Sequence, residues 1–129
     1  IEGVTFGMAD ALQIIQNMGI DIQSVRLAGG GARSAFWRQL QADVYNQPVV
    51  TTNSDEGPAY GAAILAGVGT GAWSSVPQAC QAVISETARL TPAADVAAIY
   101  QPYHAQYQKL YAALQPEFAN IAELTGQAE

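Results

Sequence analysis

Residues 24–34 read Ser-Val-Arg-Leu-Ala-Gly-Gly-Gly-Ala-Arg-Ser, an apolar run that breaks into three consecutive glycines before Ala35-Phe36-Trp37-Arg38-Gln39-Leu40 resumes a helical pattern. That order predicts a strand, a bare backbone turn and a helix start. Glycines let the main chain adopt positive φ and approach a bulky ligand closely, and the N–H groups at the start of the next helix face the same place. Such a junction suits phosphate or another anion. It serves equally as a tight strand-to-helix connection, and the turn alone does not separate the two.

Composition narrows the choice of ligand. The 129 residues suit one domain, and the apolar half leans on alanine with 12 glycines, which predicts small side chains at close helix–sheet contacts. The net charge is −6 and the five cations are Arg26, Arg33, Arg38, Arg89 and Lys109, too few to neutralise a run of nucleic-acid phosphates. Arg33 and Arg38 follow the glycines closely enough to meet a single anionic ligand, or they are ordinary surface arginines. Cys80 is the single cysteine, so no intrachain disulfide forms, and a reducing, cytoplasmic setting is expected with Cys80 packing as a small apolar residue. No window approaches the ~20 apolar residues that span a bilayer. The chain opens on Ile1-Glu2-Gly3 within a helical pattern, which reads as a piece of something longer.

Along the chain, Val4, Met8, Leu12, Ile15 and Met18 recur as one helix face, predicting a helix over 2–18 that stops at Gly19. Residues 24–28 read as a buried strand. Ser34 is placed to cap a second helix with Phe36, Leu40 and Val44 on its inner face, ending near Asn46. Residues 48–52 read as a second strand, 53–58 as a loop, and 59–69 as a helix whose glycines must have a packing or ligand reason. A short helix over 76–84 and an extended piece at 89–91 follow, leaving about two core strands in all. Tyr100, Tyr103, Tyr107, Leu110, Tyr111, Leu114 and Phe118 mark a long helix, bent or restarted near Pro102, whose aromatic stripe is expected to be core. His104 is the single histidine and receives no role, since neither a metal set nor a Ser-His-Asp triad can be assembled around it.

Two nucleotide motifs can be tested by spacing. A Walker-type loop needs a lysine in the turn, and the sole lysine is Lys109. The dinucleotide fingerprint begins with Gly29 and Gly31, but its third glycine falls on Ser34, and its acid would have to be Asp55 or Glu56, several residues late. An NAD-binding module is weakened and stays open.

The runs Glu2-Gly3-Val4, Leu27-Ala28-Gly29-Gly30-Gly31-Ala32-Arg33-Ser34, Phe36-Trp37-Arg38-Gln39-Leu40-Gln41-Ala42-Asp43 and Gly57-Pro58-Ala59-Tyr60-Gly61-Ala62-Ala63-Ile64-Leu65-Ala66, in that order, resemble the C-terminal domain of FGGY-family carbohydrate kinases. The tail from Tyr100-Gln101-Pro102 resembles the end of those enzymes, so the likeness covers essentially the whole chain. The resemblance implies an α/β fold, a βαβα core with additional C-terminal helices belonging to the actin-like ATPase (ribonuclease H-like) class of sugar kinases, hexokinase and heat-shock proteins. Residues 1–129 would be the distal half of the ATP-binding C-terminal domain, with the N-terminal sugar-binding domain outside this chain.

On that resemblance, Gly29, Gly30, Gly31 and Ala32 match the family's adenosine motif against the phosphates and sugar of ATP, and Ser34 begins the helix beyond it. Arg33 and Phe36 stand beside the motif as walls of the adenine pocket. Asp43, Glu2 and residues 57–66 are expected to cap, orient or pack. The substrate implied is a pentulose, D-xylulose first, with ribulose, gluconate and glycerol as family alternatives. The catalytic aspartate and the ligands for Mg2+ lie in the earlier part of such kinases, so no catalytic residue and no metal site are expected here, and the piece alone is expected not to phosphorylate sugar. Helices whose apolar faces lack cover predict a homo-oligomer, a dimer first, and keep a non-catalytic interaction module open as a description of the piece.

Overall fold

The computed structural model describes residues 1–54 and 56–126. In chain order the elements are α1 (Glu2–Asn17), β1 (Val25–Leu27), a 3-10 turn (Gly30–Arg33), α2 (Ala35–Tyr45), β2 (Val49–Thr52), α3 (Gly57–Gly69), α4 (Val76–Val83), β3 (Glu86–Leu90) and α5 (Ala94–Leu124). The sheet has the order β1-β2-β3, with β1 parallel to β2 and β3 antiparallel to it. β1 and β3 are therefore its two edges among the described residues. β3 corrects the expectation of about two strands, because residues 86–90 pair with β2 over its whole length, Val49 opposite Leu90 and Thr51 opposite Ala88. Glu86 and Arg89 hide it in the sequence: an outer strand needs no apolar run, and those two charges pair with each other on its exposed side at 3.0 Å.

The core lies between the sheet and the pair α1 and α2, where Ala9, Leu27, Ala32, Ala42, Tyr45 and Val49 cluster. Val49 and Val50 are both fully buried, so β2 is covered on its two faces as the middle strand of three. Alanines at this contact allow the close approach that the composition predicts. Asn46 sits in the left-handed region at φ 49° and ends α2, where the periodicity places the end.

Three readings of helix faces are corrected. α1 does not bury Val4, Met8, Ile15 and Met18, which are exposed; it buries Thr5, Phe6 and Ala9. The reason is the partner: Phe6 inserts among Tyr100, His104 and Tyr107 of α5, with ring centroids 5.5 to 6.2 Å apart. Gly3 and Gly7 on the same side let Tyr107 lie close, since a Cβ on Gly7 would stand 3.4 Å from its hydroxyl. On α2, Leu40 is buried and Val44 half-buried as expected, but Phe36 in the first turn is 67% exposed. On α5, Tyr103, Leu110, Tyr111, Leu114 and Phe118 are exposed rather than core, because α1 is about half as long and covers the first part of α5 alone. α5 also runs unbroken through Pro102 and Pro116.

Polar contacts join these layers. His104 Nε2 lies 2.7 Å from Asp10 Oδ1, and Gln108 Nε2 donates to the same oxygen at 2.7 Å and to Gln13 Oε1 at 2.9 Å. Asp43 is buried on α2 and accepts from the N–H of Ala93 at the head of α5 at 2.8 Å. Asn53 ties the end of β2 to the α4–β3 connection through Val83 and Ser85.

Two expected outcomes follow from packing and burial. A Cβ on Gly67 in α3 would stand 2.3 Å from the Trp73 ring. Gly67→Ala should therefore destabilise by about 1–2 kcal/mol in chemical denaturation, overpacking outweighing the ~1 kcal/mol helix preference of alanine. The Tyr45 hydroxyl donates to Gln41 Oε1 at 3.1 Å, and burial pushes its pKa up from 10.0 to about 12. The folded state thus keeps a proton that the unfolded chain releases near pH 10, so stability should fall as pH rises from 10 toward 12. Urea midpoints across that range should show the loss, and Tyr45→Phe should reduce it.

Candidate functional site

The glycine turn closes the C-terminal end of β1, and each of its residues has a distinct environment. Gly29 lies at φ 74°, ψ −166°, a conformation essentially reserved for glycine. Gly30 faces open space, with no heavy atom within 4 Å of where a Cβ would stand. Gly31 is the opposite case: a Cβ there would meet the Trp37 ring at 2.8 Å. Ala32 is buried in the core cluster, and its N–H donates to Gly29 O at 3.1 Å. Ser34 Oγ accepts from the N–H of Trp37 at 3.2 Å and caps α2. Arg33 is exposed at the end of the turn and Phe36 stands beside it on the first turn of α2. Gly29, Gly30, Gly31, Ala32, Arg33, Ser34 and Phe36 are thus brought to one end of the sheet.

The detail departs from the sequence reading in two respects. A 3-10 turn that begins with Gly30 and Gly31 stands between Gly29 and α2, and one helix N–H is already taken by Ser34, so a ligand over the turn meets the glycine backbone first and the helix terminus second. Arg38 does not project toward a ligand. It is half-buried, and its Nη1 donates to Ala32 O at 2.9 Å, bracing the turn from behind.

Trp37 holds the assembly in place. Its ring covers Gly31, and its Nε1 donates to Oγ1 of fully buried Thr5 at 2.9 Å, which in turn donates to Ile1 O at 3.1 Å. Sequence reasoning assigned Trp37 no role; a glycine six residues before a tryptophan carries no local pattern that would reveal the contact.

A cavity of about 400 Å3 adjoins the turn, between the tips of β1 and β2 and the helices α3 and α4. Leu27, Ala28, Tyr60, Gly61, Ile64 and Cys80 are among its walls. Its lining is mostly apolar, and Tyr60 turns its hydroxyl to Val83 O at 2.9 Å. Helix glycines were the available signal: Gly61 borders this space, whereas Gly67 makes room for Trp73.

For the dinucleotide alternative, Asp55 lies outside the described residues, and Glu56 is an exposed residue preceding α3. Among the described residues no three His, Cys, Asp or Glu side chains converge to hold a metal ion, and no helix is long and apolar enough to cross a membrane. The open backbone at Gly30 fits a flat or anionic group laid against it.

The fold assigns the class first. The chain superimposes on a ligand-bound xylulose kinase from Lactobacillus acidophilus with a TM-score of 0.83 at 26% identity, covering 93% of this chain and 24% of that one. A gluconate kinase from the same organism superimposes with a TM-score of 0.78 at 28% identity, over 88% and 23%. These are sugar kinases, and the mixed α/β architecture is that of the actin-like ATPases. Residues 1–70 match the model of the C-terminal domain of the FGGY family of carbohydrate kinases, and the chain belongs to that family. The xylulose kinase of Escherichia coli is 39% identical over 120 residues, 92% of this chain and 25% of its own length. The chain thus spans about a quarter of the length of the relatives it matches. None of these comparisons supports the dinucleotide-binding alternative.

The turn predicts a contrast between adjacent glycines. Gly29→Ala should destabilise the protein by about 1–3 kcal/mol because of its backbone angles. Gly30→Ala, which points into open space, should stay within about 0.5 kcal/mol. Thermal and urea unfolding of the two variants measure the difference.

Proposed function

We propose that this chain is the distal part of the ATP-binding domain of a cytoplasmic FGGY kinase that transfers the γ-phosphoryl group of ATP to a pentulose, D-xylulose first. The observation that carries the reading is the open backbone at Gly30, flanked by Gly29 in a backbone conformation reserved for glycine and a Gly31 locked under Trp37. Such a turn is rigid where it must hold shape and bare where a ligand must approach. Phosphates and ribose would lie against Gly29–Ala32, and Arg33 and Phe36 would border the base. The exposure of Phe36 agrees with that place, since a pocket wall stays uncovered until its ligand arrives. Xylulose is favoured by the names of the relatives, several of which are xylulose kinases.

In the transfer, a sugar hydroxyl oxygen bonds to the γ-phosphorus, the bond to the β-phosphate oxygen breaks, ADP leaves, and the hydroxyl proton goes to a base. This chain's share is positioning, because backbone N–H groups of a fixed turn hold the nucleotide without reorganising. The base and the metal ligands would come from the remaining length of the enzyme.

Calorimetric titration with ATP, ADP and NAD tests the reading. Adenine-nucleotide binding is expected, and Gly30→Val should abolish it while leaving the thermal midpoint close to that of the parent. Preference for NAD, or binding that survives the valine, would overturn it. ADP release from ATP and D-xylulose by this chain alone would refute the assignment of the base to another part of the enzyme.

A further inference from the structure

Arg38 puts a positive charge where the fold itself does not favour one. It lies in the opening turn of α2, where unpaired N–H groups already make the helix end positive and an acid would be stabilising. No acid stands in that turn, and a second cation, Arg33, precedes it. Asp43, the one carboxylate of α2, is engaged elsewhere, accepting from Gln39 Nε2 at 2.9 Å and from the N–H of Ala93 at 2.8 Å. Among the described residues the Arg38 side chain pairs with no carboxylate. Its one hydrogen bond there runs from Nη1 to Ala32 O at 2.9 Å, and its Nε–H is buried without an acceptor.

We propose that Arg38 is a positioning residue whose fixed charge, held behind the glycine turn, raises the affinity of that turn for the phosphates of a nucleotide without touching them. The inference rests on the nucleotide reading of the turn. A neutral donor would serve the Ala32 carbonyl as well as a guanidinium does, without an unsatisfied N–H and without opposing the helix dipole. What the guanidinium adds is its charge.

The structure couples that charge to the open backbone. Ala32 is buried, its carbonyl accepts from Arg38, and its N–H donates to Gly29 O at 3.1 Å. One rigid residue thus spans the distance between the guanidinium and the glycines on either side of the bare Gly30 position. Arg38 is half-buried, so water and salt screen it less than a surface cation. Its field acts along the same direction as the unpaired N–H groups at the start of α2, and Coulomb attraction falls only with the inverse of distance. The benefit therefore scales with the charge of the ligand: greatest for ATP, smaller for ADP and slight for adenosine.

Calorimetric titration of the 129-residue chain with ATP, ADP and adenosine tests the proposal. Arg38→Gln keeps donors and removes the charge, whereas Arg38→Lys keeps the charge and loses the planar fork. Arg38→Gln should weaken ATP about tenfold, ADP less and adenosine less than about twofold, and Arg38→Lys should return ATP to within about threefold of the parent. Thermal midpoints establish that the variants are folded, and Arg38→Met, which has neither charge nor donors, replaces the glutamine variant if that one does not fold. A loss shared equally by ATP and adenosine would overturn the proposal, as the mark of a brace that only sets the shape of the turn. Unchanged ATP binding in the neutral variant, or a lysine that restores nothing, would overturn it too. A parent chain that binds neither ATP nor ADP removes the nucleotide reading and this inference together, whereas ATP binding that ignores the charge at position 38 removes the inference alone.

Discussion

The hydrogen bond from Trp37 Nε1 to Thr5 Oγ1 ties α1 to the first turn of α2, at the place where the glycine turn meets both. Thr5 is fully buried on α1, Trp37 opens α2, and the Trp37 ring rests on Gly31 of the turn between them and β1. One side chain therefore touches α1, the start of α2 and the glycine backbone at once. The glycines supply conformational freedom, and the tryptophan removes it again at one of them. A nucleotide site made of main chain needs that combination, because flexible donors would have to be ordered at the moment of binding.

Burial around this contact explains why so much of the chain is alanine and glycine. The core is thin, with Ala9, Ala32 and Ala42 where larger residues would push the helices off the sheet. Close backbone approach replaces bulk, and polar links at Asp43, Asn53 and the Asp10–His104–Gln108 group hold the outer helices. His104, which carries no sequence signature, stacks on Phe6 with planes 14° apart and so is part of the seam between α1 and α5.

The elements with strong local codes were legible. The glycines between an apolar run and a helical pattern located β1 and α2, Ser34 and Asn46 bounded α2 as a cap and a left-handed stop, and residues 48–52 contained β2. β3 was not legible, because Glu86, Thr87 and Arg89 make an outer strand look like a loop. Helix faces misled for a different reason. Periodicity shows that α1 has an apolar side but not which neighbour exists to cover it, and the aromatic side of α5 chose Gly3, Phe6 and Gly7 over Val4 and Met8. At the site, the glycine run marked the turn and Ser34 the cap, and the family resemblance supplied the nucleotide roles, while Trp37 and the apolar cavity depend on contacts that span tens of residues.

The two edges of the sheet differ in kind. β3 presents Glu86 and Arg89, paired with each other, so an incoming strand would have to break an ion pair and desolvate two charges. β1 offers three residues with a single central charge at Arg26 and the apolar cavity opening beside it. The β1 edge, beside the glycine turn, is therefore the easier of the two for an incoming strand to pair with.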